Sequence, residues 1–200
     1  MWEEIAKGGI MMVPLFICSI LALAITLERA FTLRRKKIVQ GEIVQIIESI
    51  KNPADIDKAR SMCKKIPGSF SAIISTGLQN LNLNREDLKE VIEEKGKQEV
   101  RVLERGLVVL ETIAGIAPLL GLLGTVLGMI RVFKSISIEG IGRTTSLSTG
   151  IYEALYTTVA GLTIGIFSQI FYNFFTNKAD DIISEIEKYS SMFINKIKIP

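Results

Sequence analysis

The chain contains no histidine, and in 200 residues only two cysteines, one tryptophan and five prolines. Without imidazole there is no Ser-His dyad, no histidine metal ligand and no side chain whose unperturbed titration falls near neutral pH. Cys18 lies in an apolar run and Cys63 in a polar one. They are too few and too unlike in setting for a disulfide framework or a CxxC zinc site, so both read as free thiols. No catalytic residue, metal site or cofactor is expected, and the chain is not read as an enzyme.

Charge is scarce in a patterned way. The 24 Lys and Arg and 21 Asp and Glu leave three stretches without any, Gly8 to Leu27, Thr112 to Ile130 and Ala154 to Asn177. At about 1.5 Å rise per residue, each is long enough as a helix to cross the roughly 30 Å hydrocarbon core of a bilayer. The expected fold is an all-α membrane protein with three transmembrane helices, the long helices extending into a helical cytoplasmic domain.

The basic residues then orient the chain. Residues 1–7 hold one Lys or Arg, 28–111 hold sixteen, 131–153 hold three and 178–200 hold four. Three crossings place the second and last of these segments on one side, and the positive-inside rule makes that side cytoplasmic. The expected layout is an external N-terminus (1–7), spans at 8–27, 112–130 and 154–177, a cytoplasmic helical region (28–111), a short external, periplasmic loop (131–153) and a cytoplasmic tail (178–200). The cluster Arg29, Arg34, Arg35, Lys36 and Lys37 follows the first run directly, a stop-transfer arrangement rather than that of a cleaved signal peptide. Trp2 fits an interfacial anchor. The net charge of +3 therefore reports topology, and no nucleic-acid partner is expected.

Within the cytoplasmic region Ile38, Ile43, Ile46, Ile47 and Ile50 extend the first helix up to a stop at Asn52 and Pro53. Short helices are expected over about 54–65 and 70–81, separated by Pro67 and Gly68. Asn84, with Glu86 and Asp87 behind it, reads as an N-cap. From there Leu88, Ile92, Leu103, Leu107 and Leu110 carry an apolar stripe into the second span without a breaker. Between the second and third spans, Gly140, Gly142 and the hydroxyl-rich residues up to Gly150 read as a turn and cap, with Gly150 as the N-cap and Glu153 as a first-turn acid.

On a helical wheel Ala114, Ala117, Gly121, Gly124, Thr125 and Gly128 share a sector about 100° wide. Ala154, Thr158, Gly161, Gly165, Ser168 and Tyr172 do the same in the third span. Two faces are thus nearly bare backbone with a few hydroxyls. Such faces serve close helix packing, with Gly124 and Gly128 as a GxxxG pair, and hydroxyls on them also suit a narrow polar path lined without charge. Glu153 at the edge of the third run is either a helix-dipole residue or a functional acid. Pro118 removes one hydrogen bond from the second span and is expected to bend it.

The string from Ala117 to Met129 (APLLGLLGTVLGM), the string from Gly150 to Leu162 (GIYEALYTTVAGL), and Tyr172 with Asn173 together resemble the MotA/TolQ/ExbB proton-channel family. Three spans and a large helical loop resemble its ExbB and TolQ branch. The resemblance places the family's pore threonines at Thr125 and Thr158 and its acid at Glu153. It also implies a pentameric ring in the bacterial inner membrane, whose second and third spans surround a dimeric single-span partner of the ExbD/TolR type. That partner carries the protonatable aspartate. Protons moving down the membrane potential drive the pair, and force passes to a TonB- or TolA-like envelope protein. A passive helical scaffold without proton conduction is the alternative. At the family's usual proline position in the third span this chain has Phe167.

The charge asymmetry predicts that a cysteine introduced at Trp2 or Ser146 is labelled by an impermeant maleimide from outside intact cells, whereas one at Asn84 is not. Labelling at Asn84 would reverse the topology.

Overall fold

The computed structural model describes residues 9–50, 53–139 and 144–197, with the side chains of 36, 37, 53, 54, 139 and 144–147 left aside. Trp2 and the turn at Gly140 and Gly142 lie outside these residues. Among those described there are eight helices and no strand. They are α1 (Met12–Thr32), α2 (Arg35–Ile38), α3 (Gly41–Ser49), α4 (Pro53–Lys65), α5 (Ser69–Gln79), α6 (Arg85–Glu104), α7 (Leu107–Glu139) and α8 (Thr144–Ile197). Helices α1, α7 and α8 are each long and apolar enough to cross a membrane. The chain divides into two compact units, one of residues 1–28 and 106–174, the other of 29–105 and 175–200.

In the first unit α1 packs on α7 and α8 through Met12, Leu15, Ile113 and Ala117, with Cys18, Ala22, Leu120, Tyr156, Ala160 and Ile164 around them. Large apolar side chains such as Leu23, Leu119, Leu122, Val159, Ile166 and Ile170 remain exposed. An apolar core under an apolar surface is the pattern of a helix bundle solvated by lipid. Helix α1 starts at Met12, so Pro14 lies in its first turn, where the missing N–H has no helical acceptor to lose. Helix α7 has 33 residues, about 50 Å at 1.5 Å per residue. It continues eight residues past Arg131, because a charge on a helix surface ends an apolar run without ending the helix.

The second unit is built on fully buried Leu33, Ile43, Ile47, Phe70, Ile73, Ile74, Leu78, Leu88 and Phe193. The ring of Tyr189 lies 6.1 Å from that of Phe70. Asn84 caps α6 as its spacing suggests, its side chain accepting from the Asp87 N–H at 2.8 Å. Arg35 forks onto Glu185 at 2.6 and 2.5 Å, which holds the Glu185 carboxyl below the usual carboxylate range. The pair's small contribution is therefore present above that range and lost as the carboxylate is protonated.

Two expected continuous helices are interrupted. The first stops at Thr32, and α2 and α3 follow as separate pieces, with extended backbone at Arg34 and Gln40. The isoleucine spacing was sound for burial, since Ile38, Ile43, Ile47 and Ile50 are all buried. It was silent about the joints. The stripe from Leu88 to Leu110 is likewise buried at all five positions, yet the helix breaks at Arg105 and at Gly106, whose φ is +84°. Only glycine adopts that conformation at no steric cost. The carbonyls freed at the break are met by Arg29, which is 3% exposed and donates from Nη1 to the Leu103 oxygen at 3.0 Å. Burying a guanidinium is costly, and placing it on helix C-terminal carbonyls recovers part of the cost.

Gly77 is closed in by Phe193 and Ile92, and a Cβ there would sit 2.6 Å from Phe193 Cε1 and 2.9 Å from Ile92 Cδ1. Gly77→Ala should lower stability by about 1 to 3 kcal/mol through overpacking, read from thermal unfolding in detergent against the wild type. An unchanged midpoint would show that Phe193 yields freely.

Candidate proton path

The faces singled out on the helical wheel lie against each other inside one chain. A Cβ on Gly121 would sit 2.9 Å from the Thr157 carbonyl oxygen and 3.2 Å from the Gly161 Cα, and one on Gly161 would sit 2.5 Å from the Ala117 carbonyl oxygen. Gly128 faces Ala154, whose Cβ would be 2.6 Å from an added methyl, and Gly124 is covered by the Thr157 side chain. Backbone meets backbone here, a distance no larger residue permits. Pro118 sits in unbroken α7, and its ring fills the space that a Gly165 side chain would take, 2.6 Å from that Cβ position. Ser168 extends the face, buried and with its hydroxyl unpaired.

Hydroxyls gather at the centre of this seam. Thr125 Oγ1 and Thr158 Oγ1 are in direct hydrogen-bond contact. Each hydroxyl carries one proton, so one donates to the other and the acceptor donates onward to a carbonyl, Thr125 to the Ala154 oxygen at 3.1 Å or Thr158 to the Gly121 oxygen at 3.1 Å. Thr157 is fully buried and donates back to the Ala154 oxygen at 2.7 Å. Helical spacing stacks Thr157, four residues on, over Glu153, whereas the family resemblance points to Thr158. In the fold Thr158 joins Thr125, while Thr157 closes on its own helix and packs over Gly124.

Glu153 requires a correction. Gly150 is not an N-cap, because α8 begins at Thr144 and Gly150 lies within it, where a Cβ would meet Val132 Cγ2 at 2.5 Å. Glu153 is therefore the tenth residue of α8, beyond the first turn over which the helix dipole acts. Glycine suggested an end, but here it serves close packing. The carboxylate is paired instead with Arg131 on α7, Nη1 to Oε2 3.5 Å. Arg131 was missed in the sequence because it stands just outside the charge-free run and reads as a boundary. The signal that would have found it is its position three residues after Gly128, which faces Ala154, the neighbour of Glu153. Phe167, at the family's usual proline position, is exposed on an uninterrupted helix.

Residues 66–188 match the MotA/TolQ/ExbB proton channel family. The chain belongs to that family. It is 35% identical over 171 residues to an ExbB-like biopolymer transport protein of Synechocystis, covering 83% of this chain and 66% of that relative. The biopolymer transport protein ExbB of Vibrio cholerae is 33% identical, with 79% and 71% covered, and that of Aquifex aeolicus 34% identical, with 60% and 79% covered. The chain thus spans about two thirds of the length of the Synechocystis relative. Family membership and the three long apolar helices make it a multi-pass membrane protein of the ExbB branch.

Gly161→Ala pushes a methyl onto a carbonyl that cannot rotate away, so the α7 and α8 contact should weaken by about 1 to 3 kcal/mol, with lower yield of folded protein from detergent. Gly115→Ala, with nothing within 4 Å of the new methyl, should be neutral. Equal yields from both would show that the seam tolerates separation.

Proposed function

We propose that this chain is the ring subunit of a motor driven by the proton motive force in the bacterial inner membrane. Its N-terminus is outside and its C-terminus in the cytoplasm, as the distribution of basic residues argues. The observation that carries the reading is the Thr125 and Thr158 hydroxyl contact in a seam otherwise built from glycine and alanine, with Glu153 further along the same helix. Hydroxyls both donate and accept, so a line of them passes protons without bearing charge. Nothing in α1, α7 or α8 supplies an acid at mid-span, which fits a partner that brings its own.

The partner in this reading is a single-span protein of the ExbD/TolR type seated in a homopentamer, and the driven element is a TonB- or TolA-like envelope protein working on the outer membrane. Protons crossing with the membrane potential release about 2.3 kcal/mol per 100 mV. The ring residues are Thr125, Thr158 and Glu153. Ala117, Gly121, Gly124, Gly128, Gly161 and Gly165 hold the two lining helices together. A passive scaffold is the rival, and the bonding of the two hydroxyls to each other and onward to a backbone carbonyl favours it to the extent that packing alone explains them.

Thr125→Val and Thr158→Val keep shape and remove the hydroxyls, costing about 1 kcal/mol per lost bond. The motor reading expects an intact complex that no longer couples the proton gradient to uptake or envelope work in cells. Full coupling in both variants would leave the scaffold standing. An inactive Thr157→Val beside an active Thr158→Val would shift the path by one residue.

A further inference from the structure

Arg131 stands eight residues before the end of α7, and Glu153 is the tenth residue of α8. At about 1.5 Å per residue, both lie roughly 12 Å or more from those helix ends, too far to serve a terminus. Their pairing across the seam at 3.5 Å therefore has a different role. The two face a small recess lined by Met11, Gly124, Gly128 and Ala154, and they are its only charged lining residues among those described. The guanidinium is bounded on its other side by the backbone of Gly9, where a Cβ would lie 3.2 Å from Nη1. Gly9 has a φ of +70°, a turn that carries the chain past the arginine without a side chain in its way. The pair is only partly covered, the side chains being 53% and 29% exposed, so it faces whatever fills the space beside the seam.

We infer that Arg131 is a positioning residue for Glu153, holding its carboxylate across the seam beside the hydroxyl contact as one half of a neutral pair. The inference rests on the proton-driven reading above. The carboxylate on α8 alone has freedom to turn away from α7, and in an apolar surrounding it would be an uncompensated charge. A guanidinium on the facing helix corrects both faults, since it supplies the counter-charge 3.5 Å away and draws the carboxylate toward α7. Lysine at 131 would keep the charge and lose the fork. An exchange of the two residues would keep the pair and reverse its direction.

The test uses the complex isolated from its own host membranes on a C-terminal tag and reconstituted in vesicles. A valinomycin potassium potential drives protons, and an entrapped pH dye reports them. With yield and composition unchanged, Arg131→Gln should cut proton flux about tenfold or more, since misplacing an acting group by around an ångström can cost up to about a hundredfold. Arg131→Lys should restore most of it. The exchange of Arg131→Glu with Glu153→Arg keeps the pair but carries the carboxylate to α7, so its flux should stay near that of Arg131→Gln. Wild-type flux from Arg131→Gln would overturn the inference and leave the motor reading intact, and so would loss of flux that Arg131→Lys does not repair, or wild-type flux from the exchange. A complex that falls apart on Arg131→Gln also overturns it, marking Arg131 as an assembly residue. Absence of flux from the wild type would instead defeat the motor reading, and with it the role given to the pair.

Discussion

Around Gly121 and Gly161 the approach of α7 to α8 is limited by carbonyl oxygens and α-carbons rather than by side chains, and the features of the membrane unit follow from that limit. Where Gly121 meets Gly161 and Gly161 meets the Ala117 carbonyl, every added atom would force the helices apart. In lipid there is little hydrophobic gain from bringing two helices together, so dispersion contacts between closely fitted backbones must supply the attraction. The same closeness brings threonine hydroxyls on one helix within reach of carbonyls on the other. Thr125 and Thr158 are paired as a consequence of the glycines, and separating the seam would break them first.

That geometry also decides how polar atoms survive in an apolar unit. A hydroxyl moved from water into hydrocarbon without a partner costs on the order of several kcal/mol. Thr157 avoids the cost by donating to the Ala154 carbonyl, and Thr125 and Thr158 avoid it by sharing one hydrogen bond while the acceptor of the two donates onward to a carbonyl. These bonds are permissive rather than exclusive, because a carbonyl has two lone pairs and a hydroxyl can rotate between acceptors. A seam bound in this way is stable at rest and still able to exchange partners, which a charged pair at mid-membrane would not be. Among the described residues the charge that lines the recess beside the seam is the balanced pair of Arg131 and Glu153.

Much of this was legible in the residues. Charge-free runs revealed the three long helices, since nothing but an apolar helix uses twenty such residues in succession. The wheel revealed both small faces, because 100° per residue is a property of the backbone and not of the neighbours. Helix ends were less legible. Gly150 was read as a cap although its glycine serves Val132, whereas the break at Gly106 was overlooked inside an apolar stripe that stays buried across it. One residue type answers to two causes, a left-handed φ and a missing Cβ, and spacing within one helix does not separate them. Arg29 and Arg131 were hidden for a related reason. Both flank apolar runs and look like boundary markers, while their actual partners, the Leu103 carbonyl and Glu153, are distant in sequence.

Those two arginines divide the electrostatic work of the fold. Arg29 is buried and donates to the Leu103 carbonyl, so it stabilises a place where a helix must stop and another begin. Arg131 is half-exposed and meets a full charge, so it contributes little to stability by itself, as exposed ion pairs do. A residue that is cheap to remove structurally but pairs with the one acid beside the seam among the described residues is poorly explained by folding. It is well explained if the position of that carboxylate matters to something passing along the seam. The hydroxyls are satisfied inside the seam, whereas the pair stays partly uncovered, so of the polar groups of this unit it is the pair that meets what lies beside the seam.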